Sequence, residues 1–214
     1  MSEYHSVLTA QFSEIAYTAY EVHILMRDRF CHSLDQTPEG RKYPVFGFPK
    51  DSIGYYFPSR HLKAALRAWA FGGGFSEKYK SQQFSAKLKG PTAIRPERIY
   101  VCHWDGSTEP RLWTQRMEVQ TRMGRRKVVR DLLYFDRPYL RFVIWHHRQD
   151  GHLGLLQFKE LFAYGEHAGL GSERTQGAGE FVTLFFQTRK KPPDYPMQKP
   201  VIDVPFIDIP ADDP

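Results

Sequence analysis

Gly165-Glu166-His167-Ala168-Gly169-Leu170-Gly171-Ser172-Glu173-Arg174-Thr175-Gln176-Gly177-Ala178-Gly179-Glu180-Phe181 is the stretch on which the fold and its use both turn. Five glycines and one arginine fall inside it. Glycines let a backbone approach a phosphate chain closely and aim N–H groups at it. An arginine within such a loop can pair with the same phosphates. A tight connection between two elements needs fewer glycines than this. The stretch is not a P-loop, because no Gly-Lys-Ser/Thr follows at the required spacing. It is not a dinucleotide fingerprint either. That motif follows a strand and opens a helix, whereas this one has a helix before it and a strand after it.

Outward from the loop, about Leu153–Tyr164 predicts a helix with Leu155, Phe158, Leu161 and Phe162 inside. Glu180–Thr188 predicts an apolar strand. Further upstream, Tyr139–His147 reads as a strand, and Trp113–Arg122 and Val128–Phe135 as a hairpin turning near Gly124. Arg98–His103 predicts another strand, and the polar stretch 75–96 a mobile loop. Ser59–Phe71 predicts a helix, with Ser59 as N-cap and Leu62, Ala65, Leu66 and Trp69 as its buried stripe. Gly72-Gly73-Gly74 ends it. Residues 35–57 read as a long loop broken by prolines and glycines. Strands are predicted at His5–Phe12 and at Tyr20–Met26, where apolar and other residues alternate.

The order is strand, helix, strands, helix, strand. It predicts an α+β fold with a ferredoxin-like (RRM-like) βαββαβ core, an inserted β-hairpin arm and an extended C-terminal tail. Residues 1–191 form one domain with the basic arm around 98–137, and 192–214 are a Pro-rich acidic tail. No internal repeat is visible.

Charge follows this layout. The 214 residues carry a formal net charge of +6. The tail holds one Lys and five Asp, so the body carries +10. Residues 111–148 hold ten cations against three acids, and nine of the ten are arginine. Arginine forks onto phosphate and stacks on bases, so its use here leans toward nucleic acid, with a solvated basic face as the other reading. No apolar run approaches the roughly 20 residues of a membrane span, and no signal peptide is visible at the start. Two cysteines make no disulfide framework, which places the chain in the cytoplasm by default.

The glycine stretch, from Gly169 to Phe181, resembles the C-terminal glycine-rich loop of the RAMP superfamily of CRISPR-associated proteins. That loop has two glycine pairs around a basic residue, between a helix and the last strand. Phe57-Pro58-Ser59-Arg60-His61-Leu62-Lys63-Ala64-Ala65-Leu66-Arg67 is similar to the superfamily's first-helix motif. It lacks the usual glycine after proline and has Ala64 where glycine is common. The basic arm matches the superfamily's thumb.

The resemblance implies a CRISPR RNA-binding structural subunit of a multi-subunit ribonucleoprotein effector complex in antiviral or anti-plasmid defence. The small size looks like the subunit that caps the 5′ handle of the guide, in a type IV or related system. Partners would be the guide RNA, backbone and large subunits, and, indirectly, target nucleic acid. No cofactor and no metal are implied. Carried over, Gly169, Gly171, Arg174, Gly177 and Gly179 would line the RNA backbone. Arg60, Lys63 and Arg67 would contact phosphates from the helix, and Arg122, Arg125, Arg126 and Lys127 from the arm.

Other readings stay open. A backbone subunit of the same complex is one. A metal-independent endoribonuclease maturing the guide precursor is another, with His61 as its candidate acid or base beside Lys63 and Arg67. An RNA binder outside CRISPR is a third. His146-His147 alternate on a strand, so at most one enters any site. Asp28 or Asp35 would serve a target-cleaving variant. Cys31-His32 and Cys102-His103 do not converge easily on zinc and read better as buried thiols. Trp113, Tyr134, Phe135 and Tyr139 lie near the arm, where aromatics either stack bases or fill the core. Val201, Val204, Phe206 and Ile209 of the tail suit a strap onto this chain or a neighbour.

Overall fold

Alternation settles the first strand. Tyr20, Val22, Ile24 and Met26 point to one face of an extended chain and are almost wholly buried. In the computed structural model, residues 17–32, 34–36, 45–80, 84–90, 92–121, 124–147, 153–172 and 178–189 are described. The elements in chain order are β1 (Tyr17–Met26), β2 (Arg29–Cys31), β3 (Leu34–Gln36), β4 (Val45–Gly47), β5 (Tyr56–Pro58), α1 (Ser59–Gly72), α2 (Phe75–Lys78), α3 (Phe84–Lys89), β6 (Thr92–Arg95), β7 (Arg98–Tyr100), β8 (Arg111–Thr121), β9 (Gly124–Asp136), β10 (Tyr139–His147), α4 (Leu155–Ala168) and β11 (Phe181–Arg189). The fold is α+β with largely antiparallel sheets. No helix among the described residues is long and apolar enough to cross a membrane.

The main sheet has four strands in the order β11-β1-β10-β6, every pairing antiparallel. Its register sets Tyr20 opposite Ile144 and Val22 opposite Phe142. Helices α1 and α4 cover one face. Leu62, Leu66 and Trp69 recur at helical spacing and are buried, as are Phe158, Leu161 and Phe162 of α4. The Tyr20 ring lies 5.1 Å from Phe158, and Phe162 lies 5.2 Å from Phe186, which locks helix to sheet.

The opposite face of β1 is also closed. Glu21 is fully buried there, bonded by Arg141 Nε at 2.8 Å, by Arg189 and by His23. Burial opposes its charge, but these bonds prevail and hold its carboxyl at about 2.

A second sheet runs β2-β9-β4-β3, with β8 paired along β9. It carries the arm, inserted between β6 and β10. Past its contacts with β2 and β4, β9 continues as a two-stranded ribbon with β8. Strands β5 and β7 form a separate ladder.

Several expectations are corrected. The stretch 35–57 is not one loop but carries β4 and most of β3 and β5, too short for alternation to register. The stretch 75–96 is not a mobile loop. Phe75, Tyr79 and Phe84 pack as an aromatic cluster that fixes α2 and α3, and Thr92–Arg95 is the edge strand of the main sheet. The strand foreseen at Arg98–His103 is only Arg98–Tyr100, and it pairs with β5. Ser59 is the first helical residue rather than the cap. Pro58 holds the cap position without a side-chain bond, and Ser59 N–H donates to the Glu97 carbonyl at 2.9 Å. Helix α4 begins two residues later than expected and reaches Ala168; Gly154 N–H donates to Gln157 Oε1 at 2.6 Å at its start. The strand expected at His5–Phe12 and the tail 192–214 lie outside the described residues.

Candidate nucleic-acid interface

Strand β2, three residues long, is where the sequence motifs meet. One edge pairs with the base of the arm, Phe30 opposite Phe135. The other meets the glycine loop: Gly179 N–H donates to Arg29 O and Ser172 N–H to Cys31 O, both at 3.0 Å. Gly171 and Gly179 adopt φ of +85° and +88°. A Cβ at Gly171 would overlap the Cys31 carbonyl oxygen, and one at Gly179 the Leu170 carbonyl oxygen. These glycines therefore let the loop lie flat on its own chain. Gly169 is buried, and its carbonyl accepts Trp69 Nε1–H of α1 at 3.0 Å. Arg174 and Gly177 lie outside the described residues.

Next to Cys31, His32 joins β2 to α1. Its Nδ1 lies 3.1 Å from the Gly47 carbonyl, which can only accept. Its neutral Nε2 therefore accepts from His61 Nδ1, at 2.5 Å. The two ring planes are 10° apart. His61 Nε2 in turn accepts from Arg60 Nε at 3.3 Å. Burial, the neighbouring His61 and Arg60 push the His32 pKa down to about 4 despite its bond to Gly47. Burial and Arg60 lower that of His61 too. Both imidazoles are neutral at pH 7, and each has its tautomer fixed.

Helix α1 presents Arg60, Lys63 and Arg67 outward or nearly so. None has an acidic partner among the described residues. Burial, with Arg67 nearby, lowers the Lys63 pKa, the mark of an ammonium held near another cation without an anion. A cleft of about 580 Å³ opens beside the first turn, lined by Arg60 and Lys63 together with Tyr56, Arg95, Glu97 and Arg98.

On the arm, the β8–β9 register decides which cations act together. Arg116 faces Val129, Glu118 faces Lys127 and Gln120 faces Arg125. Alternation places Arg116, Arg125 and Lys127 on one side of the ribbon and position 126 on the other. Those three are exposed and have no ion pair among the described residues. The side chain of Arg126 and all of Arg122 lie outside the described residues.

Several other cations are matched, although Lys80, Lys87, Lys89 and Lys159 also have no ion pair among the described residues. Lys50 pairs with Glu109, Lys78 with Glu160, Arg95 with Glu97, Arg98 with Asp51, Arg111 with Asp105 and Asp136, and Arg141 and Arg189 with Glu21. Arg60, Lys63, Arg67, Arg125 and Lys127 belong to the clusters the sequence singles out, and the register adds Arg116. Sequence reasoning missed Tyr56 and Arg95, whose strands are too short to read, and Arg98, which the pairing of β7 with β5 brings into the cleft.

The remaining candidates have other tasks. His146 is buried, bonded to Thr92 Oγ1 and accepting Leu153 N–H, both at 3.0 Å. His147 is half-buried against Tyr17. Asp28 lies 3.6 Å from Arg29, and the side chain of Asp35 is outside the described residues. Cys31 and Cys102 are free and buried; burial and Asp105 push the Cys102 thiol up to about 11. Among the described residues no group of three His, Cys, Asp or Glu is placed to hold a metal ion. His103 anchors the arm, its Nδ1 accepting Asp136 N–H at 2.8 Å. Phe135 is core and Tyr139 bonds His23, whereas Trp113 carries the Arg29 guanidinium 4.0 Å above its ring.

No protein-family model and no curated protein matches the sequence. Solved structures do share its fold. A chain of the Type III-B Cmr-beta complex bound to cognate target RNA matches with a TM-score of 0.54 at 15% identity, over 86% of this chain and 65% of that one. This chain thus spans just under two thirds of that chain's length. A chain of a Type IV-B CRISPR complex matches with a TM-score of 0.46 at 11% identity, over 86% of this chain and 96% of that one. The chain has the fold of a subunit of the Type III-B Cmr complex.

Proposed function

We propose that this chain is an RNA-binding structural subunit of a CRISPR ribonucleoprotein effector complex, of type IV or a related type. It caps the 5′ handle of the guide, and its neighbours are the backbone and large subunits of that complex. One observation carries the reading: Arg60, Lys63 and Arg67 of α1 and Arg116, Arg125 and Lys127 of the arm form two cationic clusters that have no acidic partner among the described residues. Clustered cations without internal anions are what the phosphates of a polyanion pair with. The fold shared with a chain of an RNA-bound Cmr complex supports the same class. The strand order β11-β1-β10-β6, with a helix after the first and third of these strands in sequence, supports a ferredoxin-like core.

The mechanism is recognition. Arginine and lysine neutralise phosphates, and β2 holds helix, arm and glycine loop in one arrangement. Co-purification of the chain with a guide-length RNA from cells expressing its repeat array is the expected result. Recovery of the protein free of RNA, alone and with its neighbours, refutes it.

The endoribonuclease reading keeps one supporting observation. His61 is neutral at pH 7, with its tautomer fixed by His32, as a general base requires. Incubation with repeat RNA in EDTA separates the two readings. Site-specific cleavage lost in His61→Ala establishes the enzyme, and intact RNA supports the structural subunit.

A further inference from the structure

The cleft beside α1 is walled by β5, β6 and β7. At about 580 Å³ it has the size of a small-molecule site rather than that of a single ion. Four cations line it, Arg60, Lys63, Arg95 and Arg98, against Glu97 as the one lining acid. Two of the four are committed. Arg95 pairs with Glu97, and Arg98 with Asp51 at 2.6 Å. Asp51 is held in turn by the N–H groups of Ile53 and Gly54 and by the Tyr100 hydroxyl, at 2.9, 3.2 and 2.9 Å. Desolvation opposes its charge, but these bonds and Arg98 bring its carboxyl to about 2, so the buttress stays ionised.

Arg60 and Lys63 are left to neutralise what enters. Their two charges match one phosphate group. Tyr56 and Arg98 line the cleft with them. The Arg98 guanidinium lies 5.3 Å from the centre of the Tyr56 ring, and Pro49, Pro58 and Ile94 complete an apolar surface. An ordered arginine over tyrosine is a surface on which a base stacks. Paired charge for a phosphate beside a stacking wall, in a nucleotide-sized space, is more than an inorganic ion uses.

We propose that this cleft seats one unpaired nucleotide, with its phosphate between Arg60 and Lys63 and its base against Tyr56 and Arg98. The inference deepens the RNA-binding reading and rests on it for the strand to which that nucleotide belongs. Calorimetric titration of the full chain with a nucleoside 5′-monophosphate, the bare nucleoside and inorganic phosphate tests it. The monophosphate is expected to bind roughly tenfold more tightly than either fragment. Tyr56→Leu should reduce it to the level of phosphate, and Lys63→Ala to the level of the nucleoside. Lys78→Ala, a cation paired with Glu160 outside the cleft, should bind as the unaltered chain does. Lys63 is on the helix surface, so its variant reports even if Tyr56→Leu does not fold.

Monophosphate binding no tighter than phosphate, or unchanged in Lys63→Ala, overturns the proposal. Single-stranded RNA titrated into the same samples separates the two readings. RNA bound without monophosphate refutes the cleft alone. Monophosphate bound without RNA refutes the RNA-binding subunit and leaves a mononucleotide site. Binding of neither refutes both.

Discussion

His32 Nε2 lies 2.5 Å from His61 Nδ1, and this bond joins the three-residue strand β2 to the first turn of α1. The Gly47 carbonyl fixes which nitrogen of His32 keeps its proton, so Nε2 accepts this bond only while the His32 ring is neutral. The unfolded chain protonates His32 near pH 6.5, the folded one only near 4. Acid therefore favours unfolding. The stabilisation is complete above about pH 6.5 and is lost as pH falls through about 4. Urea unfolding should show a loss on the order of 3 kcal/mol across that window. His32→Gln should flatten this part of the profile. An equally steep profile in the variant would assign the pH dependence elsewhere.

Gly171 is the close contact of the glycine loop with β2. In Gly171→Ala the new Cβ meets the Cys31 carbonyl at a positive φ. We expect a loss of about 2 kcal/mol, a melting temperature lower by about 5 °C. Gly90→Ala, with open space around it, should change little. Equal melting temperatures for the two variants would show that the loop does not lie on β2.

Glu21 is the anion that Arg141 and Arg189 share beneath the sheet, Arg141 at 2.6 Å. Glu21→Ala leaves two guanidinium groups facing each other without it and should cost about 3 kcal/mol. In the unaltered protein this contribution persists down to the ordinary carboxylate range near 4.5 and is lost only as pH falls through about 2. Thermal unfolding of the variant at pH 7 checks the first statement. A drop of less than 1 °C would contradict it.

The arm gives a prediction from register. Arg125 and Lys127 share a side of the ribbon with Arg116. Arg125→Ala with Lys127→Ala should lower the salt slope of RNA binding by about 1.4, two single-strand phosphates. Arg111→Ala, a cation held by Asp105 and Asp136, should leave the slope unchanged. Equal effects would mean that pairing does not separate binding cations from structural ones.

Long periodic elements were legible from sequence and short ones were not. Tyr139–His147 reads to the residue because Leu140, Phe142 and Ile144 alternate over nine positions. The stripe Leu62, Leu66 and Trp69 likewise exposes α1. Strands of three or four residues, such as Arg29–Cys31 and Thr92–Arg95, show no period at all, yet one is the junction of the interface and the other an edge of the main sheet. The charged clusters were legible because charge is a matter of composition. Which of them lack partners was not, because pairs such as Arg98 with Asp51 or Lys78 with Glu160 join residues far apart in sequence. The glycine loop was found by composition, while the service of Gly171 and Gly179 to β2 depends on a strand the sequence hides.

The measurement that bears most directly on the RNA-binding account is the salt dependence of single-stranded RNA affinity, for the unaltered chain and for the variant carrying Arg60→Ala, Lys63→Ala and Arg67→Ala. These side chains lie on the helix surface, and folding of the variant is checked by circular dichroism. The unaltered chain should show affinity falling steeply with log salt, and the variant a slope smaller by about 2. Equal slopes, or an affinity indifferent to salt in the unaltered chain, would contradict the account.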